Sequence, residues 1–103
     1  PESTARHGLA LLNRGKAEDD ADVGWDGGYL LEVAAQSGHA EAAIHLAGAL
    51  LGGSAADYPL VPGVDPDFEG AREHASSVVS DDPATRAAAR RLVRAAERAL
   101  AAN

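Results

Sequence analysis

The chain has 103 residues, enough for one domain with one modest core. It has no Cys, so disulfides, thiolate metal sites and a cysteine nucleophile are excluded. A formal net charge of -7 argues against general affinity for nucleic acid or an anionic membrane surface.

Hydrophobic residues make up 46% of the chain, about half of them Ala, and aromatics only 4%. Ala favours helix and buries little area, which suits helices packed closely along small side chains rather than a β-sandwich. Five helices are expected in chain order. The first covers residues 4–13, with Ala5, Gly8, Leu9 and Leu12 on one face, a cap at Ser3 or Thr4, and a stop at Gly15. Residues 16–28 are acidic and Gly-rich and read as a loop. The second helix covers residues 27–37 and turns Leu30, Leu31, Ala34 and Val33 inward. Gly38 is placed as its left-handed stop.

The third helix, residues 39–51, has the clearest periodicity: Ala40, Ala43, Ile44, Ala47, Leu50 and Leu51 share a face. Its short separation from the second helix predicts an antiparallel hairpin, with Ile44 filling the interface. Residues 52–64 form a long connection with Pro59 and Pro62. Asp65-Pro66 reads as the start of the fourth helix, with Phe68, Ala71, Ala75, Val78 and Val79 along its apolar stripe. Asp82-Pro83 repeats that signal for the fifth, which runs to about residue 101 and faces Ala88, Leu92, Ala95, Ala96 and Ala99 to the core.

Ala34-Ala35-Gln36-Ser37-Gly38-His39-Ala40 aligns with residues 78–84 at a spacing of 44, each segment ending one helix and opening the next. Upstream, residues 63–71 read G-V-x-x-D-aromatic-x-x-A. Together these motifs resemble the Sel1-like repeat, a relative of the tetratricopeptide repeat. The resemblance covers most of residues 30–84, with residues 54–62 as an insertion. It implies an all-α fold of the α-α superhelix type, a short α-solenoid of helical hairpins over residues 1–103, and a scaffold or adaptor role. Independently, each hairpin has a narrow apolar stripe that it cannot bury alone, so neighbours must stack. The end helices then keep open sides, as expected of a short capped solenoid, a fragment of a longer one, or half of a dimer.

Few constellations suggest chemistry. Glu41 and His45 are i, i+4 neighbours near His39, but there is no H-E-x-x-H, and two surface histidines explain them. Asp20, Asp22, Gly24 and Asp26 faintly follow a calcium loop, yet Val33 stands where a bidentate Glu is required. Asp82 is explained as a helix cap. No phosphate loop or nucleophile elbow occurs. No cofactor, metal or enzymatic activity is expected.

Up to residue 80 there are 4 basic and 13 acidic residues, whereas from Pro83 onward there are 5 Arg and only Glu97. Arg86, Arg90, Arg94 and Arg98 recur every four residues and form a basic stripe with Arg91 nearby. It reads as a solvated face, as an internal partner for the acidic residues 18–26, or as a docking stripe for an acidic partner. Trp25 and Phe68 are expected in the core, leaving Tyr58 as the candidate exposed contact.

The leading expectation is a protein–protein interaction module binding a protein or peptide, acidic in the docking reading. Two alternatives are a small helical protein that docks an acidic ligand or nucleic acid through the Arg-rich helix, and a helical accessory segment of an enzyme. A homo-oligomer is compatible with the open ends. The longest apolar stretch, residues 46–56, falls short of the ~20 residues of a membrane span, and residues 1–4 lack signal-peptide character. A soluble, cytoplasmic protein is expected.

Overall fold

The computed structural model describes residues 2–102. They form five α-helices: α1 (Glu2–Glu18), α2 (Ala21–Gln36), α3 (Ala40–Leu50), α4 (Phe68–Ser76) and α5 (Pro83–Ala102). No strand occurs among the described residues; one isolated bridge joins Ala55 and Tyr58. The molecule measures 32 × 29 × 18 Å, so its short dimension is about two helix diameters.

The first two helices depart from the sequence expectation. Gly15 does not stop α1, and the supposed loop is the start of α2. The reversal takes only two residues. Asp19 adopts a left-handed φ of 51°, and Asp20 N–H donates to the Gly15 carbonyl at 2.9 Å. The Asp20 carboxylate then caps α2, accepting from the N–H groups of Asp22 and Val23 at 3.0 and 3.2 Å.

The glycines of this region are contact residues. The buried face of α1 is Ala5, Gly8, Leu12 and Gly15; that of α2 is Gly24, Gly27, Gly28, Leu31 and Ala34. A Cβ on Gly27 would lie 2.4 Å from the Leu12 nitrogen and 2.8 Å from the Gly8 carbonyl oxygen, and one on Gly15 would lie 2.7 Å from the Gly24 nitrogen. Backbone meets backbone, and only glycine permits it.

The α2–α3 turn follows expectation. Gly38 has φ 90°, His39 N–H reaches the Ala34 carbonyl and Gly38 N–H the Ala35 carbonyl, a complete Schellman arrangement. The imidazole of His39 then caps α3: Nδ1 accepts from Ala42 N–H at 3.1 Å. With that nitrogen unprotonated, Nε2 carries the hydrogen and donates to the Glu2 carboxylate at 2.9 Å, tying α1 to α3.

Helix α3 divides two cores. Leu46 and Ala49 join Leu12, Leu31 and Ala34 on the α1–α2 side; Ala47 and Leu51 join Ala71, Ala75, Leu92 and Ala96 on the α4–α5 side. Leu31 and Leu51 are the largest fully buried side chains, each contributing about 1.5–3 kcal/mol of burial. Ile44 is only half-buried, against the second core, so it is not the hairpin's central side chain.

The long connection is tied at its base, where Asp67 N–H donates to the Leu50 carbonyl at 2.9 Å, and it anchors Val61 in the first core. Helix α4 therefore begins at Phe68, two residues later than Pro66 suggested, with the Asp67 carboxylate accepting from Gly70 N–H at 2.9 Å. Phe68 is half-buried, and Val79 lies outside α4 and is 89% exposed. Helix α5 starts at Pro83 as expected. Asp82 accepts from Ala84 N–H at 3.3 Å and from the Thr85 hydroxyl at 2.8 Å. Its core residues are Ala89, Leu92, Ala95 and Ala96, with Ala88 and Ala99 only partly covered.

Candidate binding surface

Helix α5 is long, Ala-rich on its inner side and Arg-rich on its outer side. Small side chains let it approach α4 through Ala71 and Ala75. Arg86, Arg90, Arg94 and Arg98 are all exposed. Four residues advance an α-helix by slightly more than a turn, so the row drifts by about 40° per step. The first three consequently line one groove between α4 and α5, while Arg98 turns out of it.

That groove has a volume of about 380 Å³. Ala75, Val78, Ala89 and Val93 supply apolar lining; Arg86, Arg90, Arg94, Ser76 and Glu97 supply polar groups. Arg86 donates to the Ser80 carbonyl at 2.9 Å, which steadies the entrance. The ion pairs among the described residues are Arg6–Glu2, Arg14–Glu18, His39–Glu2 and Arg72–Glu69, and none involves α5. Internal pairing of the stripe with acidic residues 18–26 is therefore not what the fold does. Among the described residues the guanidinium groups of Arg90, Arg94 and Arg98 have no ion-pair partner, while Arg86 donates to the Ser80 carbonyl.

Tyr58 sits elsewhere and is half-buried rather than fully exposed. The turn at residues 55–58 folds the loop back, with Tyr58 N–H on the Ala55 carbonyl and Gly53 N–H on the Tyr58 carbonyl. The ring is half-buried against the second core and lines a separate cleft of about 400 Å³ with Lys16, Ile44, His45 and Val61. Partial burial lowers the pKa of His45 there, opposed by the Glu41 charge.

The exposed aromatics are instead Trp25, at 59%, and Tyr29, at 54%. Their rings stack with centroids 5.6 Å apart and planes 4° from parallel. Trp25 is thus not a core residue. Gly24, Gly27 and Gly28 occupy the inner side of α2, so residues 25 and 29 face outward. This pair was missed because the segment read as a loop; its signal in the sequence is the W-x-x-x-Y spacing, one helical turn.

The expected acidic loop is instead helix here, since Asp22, Gly24 and Asp26 lie within α2 and Asp20 is its cap. Among the described residues no group of three His, Asp or Glu side chains is placed to hold a metal ion. No helix among them is long and apolar enough to cross a membrane. No family model, no curated protein and no solved structure matches this chain.

Proposed function

We propose that this domain is a protein-interaction module whose α4–α5 groove docks an acidic segment of a partner, and that it works by binding rather than turnover. The observation that carries this reading is the placement of Arg86, Arg90 and Arg94, without an ion-pair partner among the described residues, around an apolar-lined groove. Guanidinium groups grip carboxylates bidentately, and the apolar lining takes the aliphatic part of the same segment. Because the rest of the chain is acidic, an acidic partner is steered to this one face.

The architecture we favour is a short α-solenoid of the Sel1-like or tetratricopeptide-like kind. Supporting it are the motif resemblance over residues 30–84, the hairpin about Gly38, and the packing of each helix chiefly on its sequence neighbours, α1 on α2, α2 on α3, α3 on α4 and α4 on α5.

A fluorescent oligo-glutamate peptide serves as the probe. Wild-type binding should weaken as salt rises, and Arg90→Glu/Arg94→Glu should weaken it at least about tenfold, one charge-assisted contact being worth about 1.5–3 kcal/mol. Unchanged affinity in the double reversal, with helicity retained, would refute the reading. Tighter binding of a DNA duplex than of the peptide would favour the nucleic-acid alternative instead.

A further inference from the structure

The outer face of α2 and the α4–α5 groove are complementary in charge and in the spacing of their side chains. Trp25, Tyr29 and Val33 stand at i, i+4 and i+8 and are 59%, 54% and 37% exposed, forming an apolar ridge about 12 Å long on α2. Its two rings also border a cleft with Leu46, Leu50 and Val64. The parallel stacking of the two rings restricts their rotamers, which lowers the entropy lost on docking. Asp22, Asp26 and Glu32 flank it, all exposed. There is no Lys or Arg between residues 17 and 71, so the ridge is purely acidic at its edges. The groove is mainly the reverse: an apolar lining with three arginines, Arg86, Arg90 and Arg94, against one carboxylate, Glu97.

We propose that the occupant of the groove is a second copy of this chain, the α2 ridge of one copy seating in the α4–α5 groove of another. This rests on the groove being the docking surface argued above and names what fills it. Both rows repeat every four residues, about 6 Å along a helix, so two helices laid side by side keep their ridges in register. Two of the guanidinium groups then lie against the aromatic rings, and the donors turn to the flanking carboxylates. Ridge and groove share no residue, and within one chain α2 packs on α1 and α3 while the groove is built by α4 and α5. A single copy therefore presents both at once. The contact is one ridge and one groove, smaller than a standard interface, so association is weak and concentration-dependent.

Trp25 is the only Trp in the chain, and its fluorescence reports directly on the ridge. Sedimentation of the wild type from micromolar to millimolar concentration at low salt should show self-association, with Trp25 emission moving to the blue and added salt reversing both. The ridge variant Trp25→Ser/Tyr29→Ser and the groove variant Arg90→Glu/Arg94→Glu should each stay monomeric with unchanged helicity. Mixed together, each supplies the surface the other lacks, so a 1:1 complex should form and the groove variant's Trp25 emission should shift blue. Should the charge reversal disturb α5, Arg90→Ala/Arg94→Ala serves in its place. A wild type that stays monomeric, or a mixture that does not associate, overturns the proposal. If the wild type stays monomeric while the groove still binds oligo-glutamate, only the second-copy inference falls; if neither binds, both readings fall.

Discussion

Substituting Ala for Gly27 should destabilise this protein, against the usual rule for a helix interior. On propensity alone the change should stabilise α2 by about 0.8–1 kcal/mol. The structure places the new Cβ 2.4 Å from the Leu12 nitrogen, 2.8 Å from the Gly8 carbonyl oxygen and 2.9 Å from the Leu12 Cα. All three obstacles are backbone, so no rotamer change relieves them. Restoring an ordinary contact near 3.4 Å requires α1 and α2 to part by about 1 Å. A gap of that size forfeits up to about half of each dispersion well across the interface, and overpacking typically costs about 1–3 kcal/mol. After the propensity gain, a net loss of up to about 2 kcal/mol is expected, or a Tm lower by up to about 15 °C for a domain of this size. Urea and thermal unfolding followed by circular dichroism measure it. Gly48→Ala is the internal control: it is also a helix glycine, but its Cβ would meet nothing within 4 Å, so it should stabilise by up to about 1 kcal/mol. If Gly27→Ala raised Tm as much as Gly48→Ala, the tight α1–α2 contact would be wrong.

Asp20→Ala should cost about 1 kcal/mol in urea unfolding and Asp20→Asn much less, because Asp20 caps α2; equal stability of wild type and Asp20→Ala would put the start of α2 elsewhere. Leu51→Ala should cost about 2–5 kcal/mol, as Leu51 is fully buried, whereas half-buried Ile44→Ala should cost clearly less; the reverse order in chemical denaturation would contradict the two-core arrangement. Acid should weaken the fold. Hydrogen bonding to His39, then to Arg6, lowers the pKa of Glu2, and the Thr85 hydroxyl, then the Ala84 N–H, lowers that of Asp82. Each contribution is complete above the ordinary carboxylate range and is lost as pH falls below about 4 through the folded value. Urea midpoints should therefore drop on acidification, and Thr85→Ala should reduce that drop; a midpoint that rises instead would reverse the sign of these assignments.

The sequence by itself determined the helical class, the hairpin about Gly38, the start of α5 at Pro83 and the basic stripe. Each follows from local chemistry: alanine's helix propensity, a left-handed residue after Ser37, Asp before Pro, and Arg at every fourth position. Tertiary structure decided what Gly15, Gly24, Gly27 and Gly28 are for. A glycine that breaks a helix and one that lets another segment approach look the same in one dimension, and only the neighbour distinguishes them: helix backbone 2.4–2.7 Å from a would-be Cβ at Gly27 and Gly15, the Pro62 carbonyl at Gly24 and the Val64 side chain at Gly28. The consequence reached the surface. Reading those glycines as a loop sent Trp25 to the core, whereas burying them in α2 turns Trp25 and Tyr29 outward. Tyr58 moved the opposite way, because the Ala55–Tyr58 turn folds it back onto the second core. Periodicity could place four arginines on one side of α5. Which three share a groove, and whether acidic residues elsewhere in the chain neutralise them, depended on where α4 and α2 came to rest.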